Sequence, residues 1–175
     1  MKTQLLTLLF AAGIAISSSA QSKPDSSSAT NRGVKFSIGA EAGIPVGDAS
    51  TGYNLVLGGS AKVEVPTSSL TSLTLSAGYN AFFLKGEFKG YGIPSTSGFV
   101  PVKAGLKCFA SSNFFVEGQA GIVWSTENGG GHAFAWSPGI GYDFAGGFEV
   151  GGRYEGWSNG GTIGQISLRL AYRFQ

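Results

Sequence analysis

The sequence is poor in most of what soluble packing and side-chain chemistry draw on. It has one cysteine, Cys108, so no disulfide can form within the chain. It has one histidine, His132, and one Cys and one His are too few for a zinc site. Charged residues make up 13% of the chain, about half the share usual in a soluble domain. The formal net charge is +2, and one less without Lys2. That is too little to hold a nucleic acid by its phosphates, and no nucleic-acid partner is expected. No apolar run, Leu5–Ile16 included, is long enough for a transmembrane helix. What the chain does have is glycine, 29 residues, and aromatics, 13%. So much glycine is poor material for helix interiors.

Residues 1–20 read as a signal peptide. Lys2 supplies the positive end, Leu5–Ile16 is apolar but too short to span a bilayer, and Ser17-Ser18-Ser19-Ala20 offers small residues for cleavage after Ala20. No cysteine follows the apolar run, so this is not a lipoprotein signal. Residues 21–32 are polar and Ser-rich and read as a disordered periplasmic tail. Residues 33–175 are the length of one domain.

The clearest pattern lies near the C-terminus. Ile166-Ser167-Leu168-Arg169-Leu170-Ala171-Tyr172-Arg173-Phe174 alternates without a slip. Such alternation makes a β-strand with two unlike faces. In a soluble protein the apolar face would cover a core; in a membrane barrel it would meet lipid, with the arginines inside. The rest of the chain favours the second reading. Alternating segments recur at about 34–45, 53–65, 72–84, 99–108, 114–124, 132–144, 148–157 and 163–174. Most approach the ~9–11 residues that a tilted strand needs to cross a bilayer. The expected fold is all-β: an eight-stranded antiparallel up-and-down transmembrane β-barrel.

Side-chain parity supports this. If each strand's apolar set faces out, every strand charge faces in: Lys35, Glu41, Lys62, Glu64, Lys103, Lys107, Glu117, Asp143, Glu149, Arg153, Glu155, Arg169 and Arg173. Seven are basic and six acidic. Charge inside a narrow barrel is tolerable only when paired, and eight strands leave room for side chains alone. The interior is therefore expected to be ion pairs, glycine and small polar residues, with no open pore. Phe82 and Leu84 also face in, at the outer end of the third strand, where they would plug or stiffen the mouth.

Trp124, Trp136 and Trp157 gather near one set of strand ends, and Phe114, Tyr142, Phe144, Tyr172 and Phe174 near the other, as two interfacial belts would. The inward parity of Trp157 moves it from the belt to the rim. With a periplasmic N-terminus, the outer loops are 46–52, 85–98, 125–131 and 158–162, and the periplasmic turns 66–71, 109–113 and 145–147. Loop 85–98 is the longest and mixes basic and aromatic residues, which makes it the candidate contact for a surface ligand. Pro138 interrupts a strand and predicts a bulge.

Little resembles a catalytic site. His132 could serve as a general base, yet no serine stands two positions on and Glu127 is the one acid nearby in sequence. Gly139-Ile-Gly141-Tyr-Asp-Phe144 lacks the third glycine and the helix of a dinucleotide site. Glu41, Glu64, Glu117 and Glu149 could supply a carboxylate pair for glycoside hydrolysis, but read better as members of the inward network. Cys108 has outward parity and reads as a small hydrophobe. No cofactor, metal or catalysis is expected.

The segments Pro101-Val-Lys-Ala-Gly-Leu-Lys107, Phe115-Val-Glu-Gly-Gln-Ala-Gly121, Ser137-Pro-Gly-Ile-Gly-Tyr142, Arg153-Tyr-Glu-Gly-Trp157 and Leu168-Arg-Leu-Ala-Tyr-Arg-Phe174 resemble the small outer-membrane β-barrels of Gram-negative bacteria, the OmpA/OmpX-type and opacity-protein-like group. The resemblance covers about 34–174. It implies a barrel in the cell outer membrane among its lipids, inserted by the barrel-assembly machinery, which would read Tyr172 and Phe174 in the last strand. Gln175 departs from the usual aromatic end.

Four roles are compatible with this reading: a structural or surface-interaction barrel, a narrow pore, a lipid-modifying enzyme using His132, and a secreted lipocalin-like carrier with the two faces exchanged. A closed membrane barrel predicts that the protein, taken from the outer-membrane fraction, changes its mobility in SDS gels on boiling. A soluble protein with no such shift would point to the exchanged faces.

Overall fold

The computed structural model describes residues 33–86, 95–127 and 129–174. The expected signal peptide, 1–20, the tail, 21–32, the centre of the second outer loop, 87–94, and Gln175 lie outside the described residues.

Alternation of apolar with polar or small residues produces eight strands: β1 Lys35–Gly47, β2 Tyr53–Pro66, β3 Thr71–Leu84, β4 Thr96–Phe109, β5 Phe114–Ser125, β6 His132–Asp143, β7 Phe148–Ser158 and β8 Thr162–Phe174. One helical turn, α1 Ala49–Gly52, sits between β1 and β2. Each strand pairs antiparallel with the next, and β1 closes on β8 from Phe36 opposite Phe174 to Gly47 opposite Ile163. The sheet therefore has no free edge, the feature that leaves open sheets prone to further pairing.

The two faces sort as parity dictates. On β8, Leu168 is 64% exposed, while its neighbours Ser167 and Arg169 are 4% and 5% exposed. Ile38, Leu73, Leu106, Ile140 and Ile166 join Leu168 on an outer surface that is apolar on strand after strand. Lys62, Lys103, Lys107, Glu64, Glu149 and Glu155 are buried inside. The faces are thus those of a membrane barrel, the reverse of a lipocalin-like arrangement.

One end of the barrel carries the short turns. Ala110 N donates to Phe114 O at 2.9 Å, and Phe144 N to Phe148 O at 2.8 Å. Gly146 and Gly147, at φ 86° and 90°, make the second of these turns, a conformation in which a Cβ would be strained. The opposite end carries the connections 48–52, 85–95, 126–131 and 159–161, the last as short as a turn, and these two ends are called the turn end and the loop end below.

Three expectations need correction. The fourth strand starts at Thr96 and not at 99, because β3 runs on to Phe83 and gives Thr96, Ser97 and Gly98 partners. Loop two is therefore 85–95. No bulge forms at Pro138: Trp136 pairs with Gly156 and Gly139 with Arg153, the same register on both sides of a two-residue break. Pro138 itself lies opposite Gly118 on β5, so the donor it lacks is one that would have faced β7. Pro101 repeats this device, paired with Val123 on β5 and unpaired toward β3. The register shift among the described ladders falls at Tyr53/Leu55.

Glycine is needed where strands approach closely. A Cβ on Gly121 would lie 2.0 Å from Val102 O and 2.7 Å from the Lys103 Cα, whereas one on Gly118 would meet nothing within 4 Å. Gly121→Ala is expected to lower stability by about 1–3 kcal/mol, and Gly118→Ala to leave it unchanged. Urea unfolding in lipid vesicles, followed by tryptophan fluorescence, checks the pair.

Candidate functional site

The interior is built in two parts. From the turn end to mid-barrel it is charged. Lys107 Nζ lies 3.3 Å from Glu64, 3.2 Å from Asp143 and 2.6 Å from Glu149. Its ammonium also sits 3.9 Å from the centre of the Phe115 ring, over the negative face. Lys62 Nζ lies 3.1 Å from Glu64, 3.3 Å from Glu117 and 2.9 Å from Glu149. Arg173 pairs with Asp143 at the turn end. Toward mid-barrel, Arg169 reaches Glu149 at 2.9 Å and Glu41 at 3.7 Å. Arg169 also donates to Ser60 and Ser37 at 2.9 and 3.1 Å. Arg153 bridges Glu41 and Glu155, and Lys103 pairs with Glu155.

These contacts join Glu41, Lys62, Glu64, Lys103, Lys107, Glu117, Asp143, Glu149, Arg153, Glu155, Arg169 and Arg173 into one connected set of six acids and six bases. Lys35 makes no ion pair among the described residues and lies at the turn-end mouth. Gln119 extends the network by hydrogen bonds with Thr74, Ser76 and Glu117, each at 3.2 Å. The local sequence makes room for these groups. A Cβ on Gly39 would come within 3.0 Å of the Arg169 guanidinium, and one on Gly141 within 2.3 Å of the Phe115 ring. The glycines of the dinucleotide-like stretch therefore serve packing.

Toward the loop end the interior is apolar, and the expected ion pairs, glycine and small polar residues give way to a larger cluster than Phe82 and Leu84 alone. Val56, Phe82, Val123, Ala135 and Trp157 form a buried cluster, with Tyr53, Phe99 and Ala133 packed against it. The Phe82 ring stands 5.2–5.5 Å from those of Tyr53, Phe99 and Trp157. Trp157 is thus part of a plug beneath the rim. Its indole Nε1 donates to Glu155 Oε1 at 2.8 Å and ties plug to network. Sequence reasoning picked out Phe82 and Leu84 but not Val56, Phe99 or Val123. Their signal was apolar character at inward parity, on a face otherwise polar.

Two cavities flank this filling. The turn-end cavity, about 650 Å³, is lined by Lys35, Arg173, Asp143 and hydroxyl side chains including Ser68, Thr71 and Ser111. The loop-end cavity, about 320 Å³, lies on the plug and is lined by Phe99, Val123, Ala133, Trp157 and Ile163, with Asp48, Ser125, His132, Asn159 and Thr162 around them. Ser125, His132 and Asp48 share this cavity, but no hydrogen bond joins their side chains among the described residues. The Ser125 Oγ instead accepts from Glu127 N at 3.3 Å. A nucleophile needs its base within hydrogen-bond reach, and this set is not assembled. Cys108 is partly buried on β4 between Thr71 and Val116. No group of three or more metal-ligating residues occurs among the described residues.

The outer aromatic side chains form girdles. At the turn end Tyr142 and Phe144 are 4.8 Å apart, Phe148 and Tyr172 5.3 Å, and Tyr172 and Phe174 5.0 Å. Phe114 pairs with Tyr142 across β5 and β6. At the loop end Trp124, Phe134 and Trp136 face outward.

Lys107 holds three buried carboxylates. Lys107→Met is expected to cost about 3–5 kcal/mol by leaving them uncompensated. Adding Glu149→Gln, which restores neutrality, is expected to recover part of that loss. A double-mutant cycle by chemical denaturation measures the coupling.

No protein-family model matches the chain, and no curated protein does. Solved structures do. Ail, the attachment invasion locus protein of Yersinia pestis, superposes with a TM-score of 0.56 at 17% identity, over 81% of this chain and 97% of Ail. The N-terminal β-barrel domain of Pseudomonas aeruginosa OprF gives 0.54 at 13% identity, over 80% and 97%. The outer membrane enzyme PagL gives 0.53 at 18%, over 78% and 98%. At such identities the likeness is one of fold: the chain has the closed eight-stranded architecture of the small outer-membrane β-barrels of Gram-negative bacteria.

Proposed function

We propose that this chain is an integral outer-membrane barrel that anchors and displays its loops, and that it neither conducts nor catalyses. The observation that carries the reading is the contrast between the two faces. An outer surface apolar on every strand would aggregate in water and is what a bilayer covers. The interior inside it is filled by a neutral ion-pair network capped by an aromatic plug. Charges paired across the lumen brace the wall, and rigidity serves presentation better than passage.

The orientation follows from the resemblance to outer-membrane barrels: termini and turn end toward the periplasm, loop end outward. Tyr172 and Phe174, on the closing strand β8, would be read by the barrel-assembly machinery before closure. Outer-membrane lipids then cover the girdles. Loop 85–95 is the segment proposed to meet a surface partner.

Two readouts test this. The purified barrel in a planar bilayer is expected to be electrically silent. A steady conductance abolished by substituting Arg153 or Arg169 would establish a pore instead. Replacing 85–95 by a short turn is expected to preserve the boiling-dependent gel shift while reducing surface adhesion. Unchanged adhesion and envelope integrity would remove the display role from that loop.

A further inference from the structure

The cavity on the loop-end face of the plug has a consistent chemistry. Its floor and inner wall are Phe99, Val123, Ala133, Trp157 and Ile163. The Phe99 and Trp157 rings are 4.8 Å apart and inclined at 50°, forming an open angle and not a flat platform. At about 320 Å³, the cavity is near the lower limit for small-molecule sites, which favour the mouths of β-barrels.

Its electrostatics have one sign. Asp48 carries the one formal charge among the described lining residues, and no lysine or arginine accompanies it. Among the described residues no hydrogen bond or ion pair engages the Asp48 side chain, which does not cap α1. The floor adds aromatic faces, which attract cations. Ser125 and Thr162 offer hydroxyls, and Asn159 is held in place by donating to His132 O at 2.7 Å. Carboxylate and rings both favour a cation, and the apolar wall favours a hydrophobic body attached to it. Among the described lining residues an anion would meet the carboxylate with no basic partner.

We propose that this cavity is a binding site for a small organic cation, an ammonium group carried on an apolar or aromatic body. The body would rest against Phe99, Trp157 and Ile163 and the ammonium would face Asp48. The site lies on the first, third and fourth loop-end connections and on the plug. None of its described lining residues belongs to loop 85–95; the inference goes beyond the display role and holds whichever compartment the loops face.

Trp157 is the natural reporter, since Trp124 and Trp136 face outward and can be replaced. The test uses full-length barrel carrying Trp124→Phe and Trp136→Phe in lipid nanodiscs. Benzyltrimethylammonium is titrated against benzyl alcohol and benzenesulfonate. Saturable change in Trp157 fluorescence is expected with the cation, and no saturation with the anion. Asp48→Asn, at an exposed position outside the barrel wall, is expected to weaken the cation by roughly five-fold without altering the boiling-dependent gel shift. Equal response to cation and anion, an unchanged affinity in Asp48→Asn, or no saturable response to the cation would each overturn the assignment. None of these results bears on bilayer conductance or on loop 85–95, so the display role stands or falls separately.

Discussion

The whole structure depends on charge neutrality inside a closed, narrow sheet. A lone buried charge costs several kcal/mol even after relaxation, and eight strands leave little room for water to repay it. The chain meets this by linking each carboxylate of the set to at least one cation. Glu149 alone touches Lys62, Lys107 and Arg169. Because the members come from every strand but β3, the network braces the barrel across its lumen as well as neutralising it. It also selects register: a slip of one residue would turn these charges toward the outside.

The aromatic plug solves the complementary problem. Near the loop end the inward positions become Val56, Phe82, Phe99, Val123 and Trp157, which fill space without needing partners. The Trp157–Glu155 hydrogen bond is the joint between the two regimes, an indole that offers rings to the plug and a donor to the network. Glycine is the counterpart of these large groups, leaving room at Gly39 and Gly141 for Arg169 and Phe115.

Such a filling has a consequence for function. Where side chains occupy the lumen, distinct chemistry is left to the two mouths and the loops. The loop-end cavity is where the plug's rings become part of a surface, and there Asp48 stands apart from the neutralised network. An interior made for rigidity thereby supplies the floor of a candidate ligand site.

Alternation alone settles how many strands there are and which face most of their residues take, because a period of two leaves parity little freedom; Tyr53, turned into the plug beyond the register shift at Tyr53/Leu55, is an exception. The sequence by itself identified the charges that lie inside and the aromatic residues of the outer girdles. Parity carries no information about height along the barrel or about which inward residues meet across it. Glu41 with Arg153, separated by 112 positions, and Phe82 with Trp157 become neighbours through strand tilt and closure alone. The same holds for Asp48, His132 and Trp157, drawn from separate segments to one mouth. Pro138 shows the limit at the scale of one residue. The sequence marked a missing donor, and only the paired strands decided that register would persist across it.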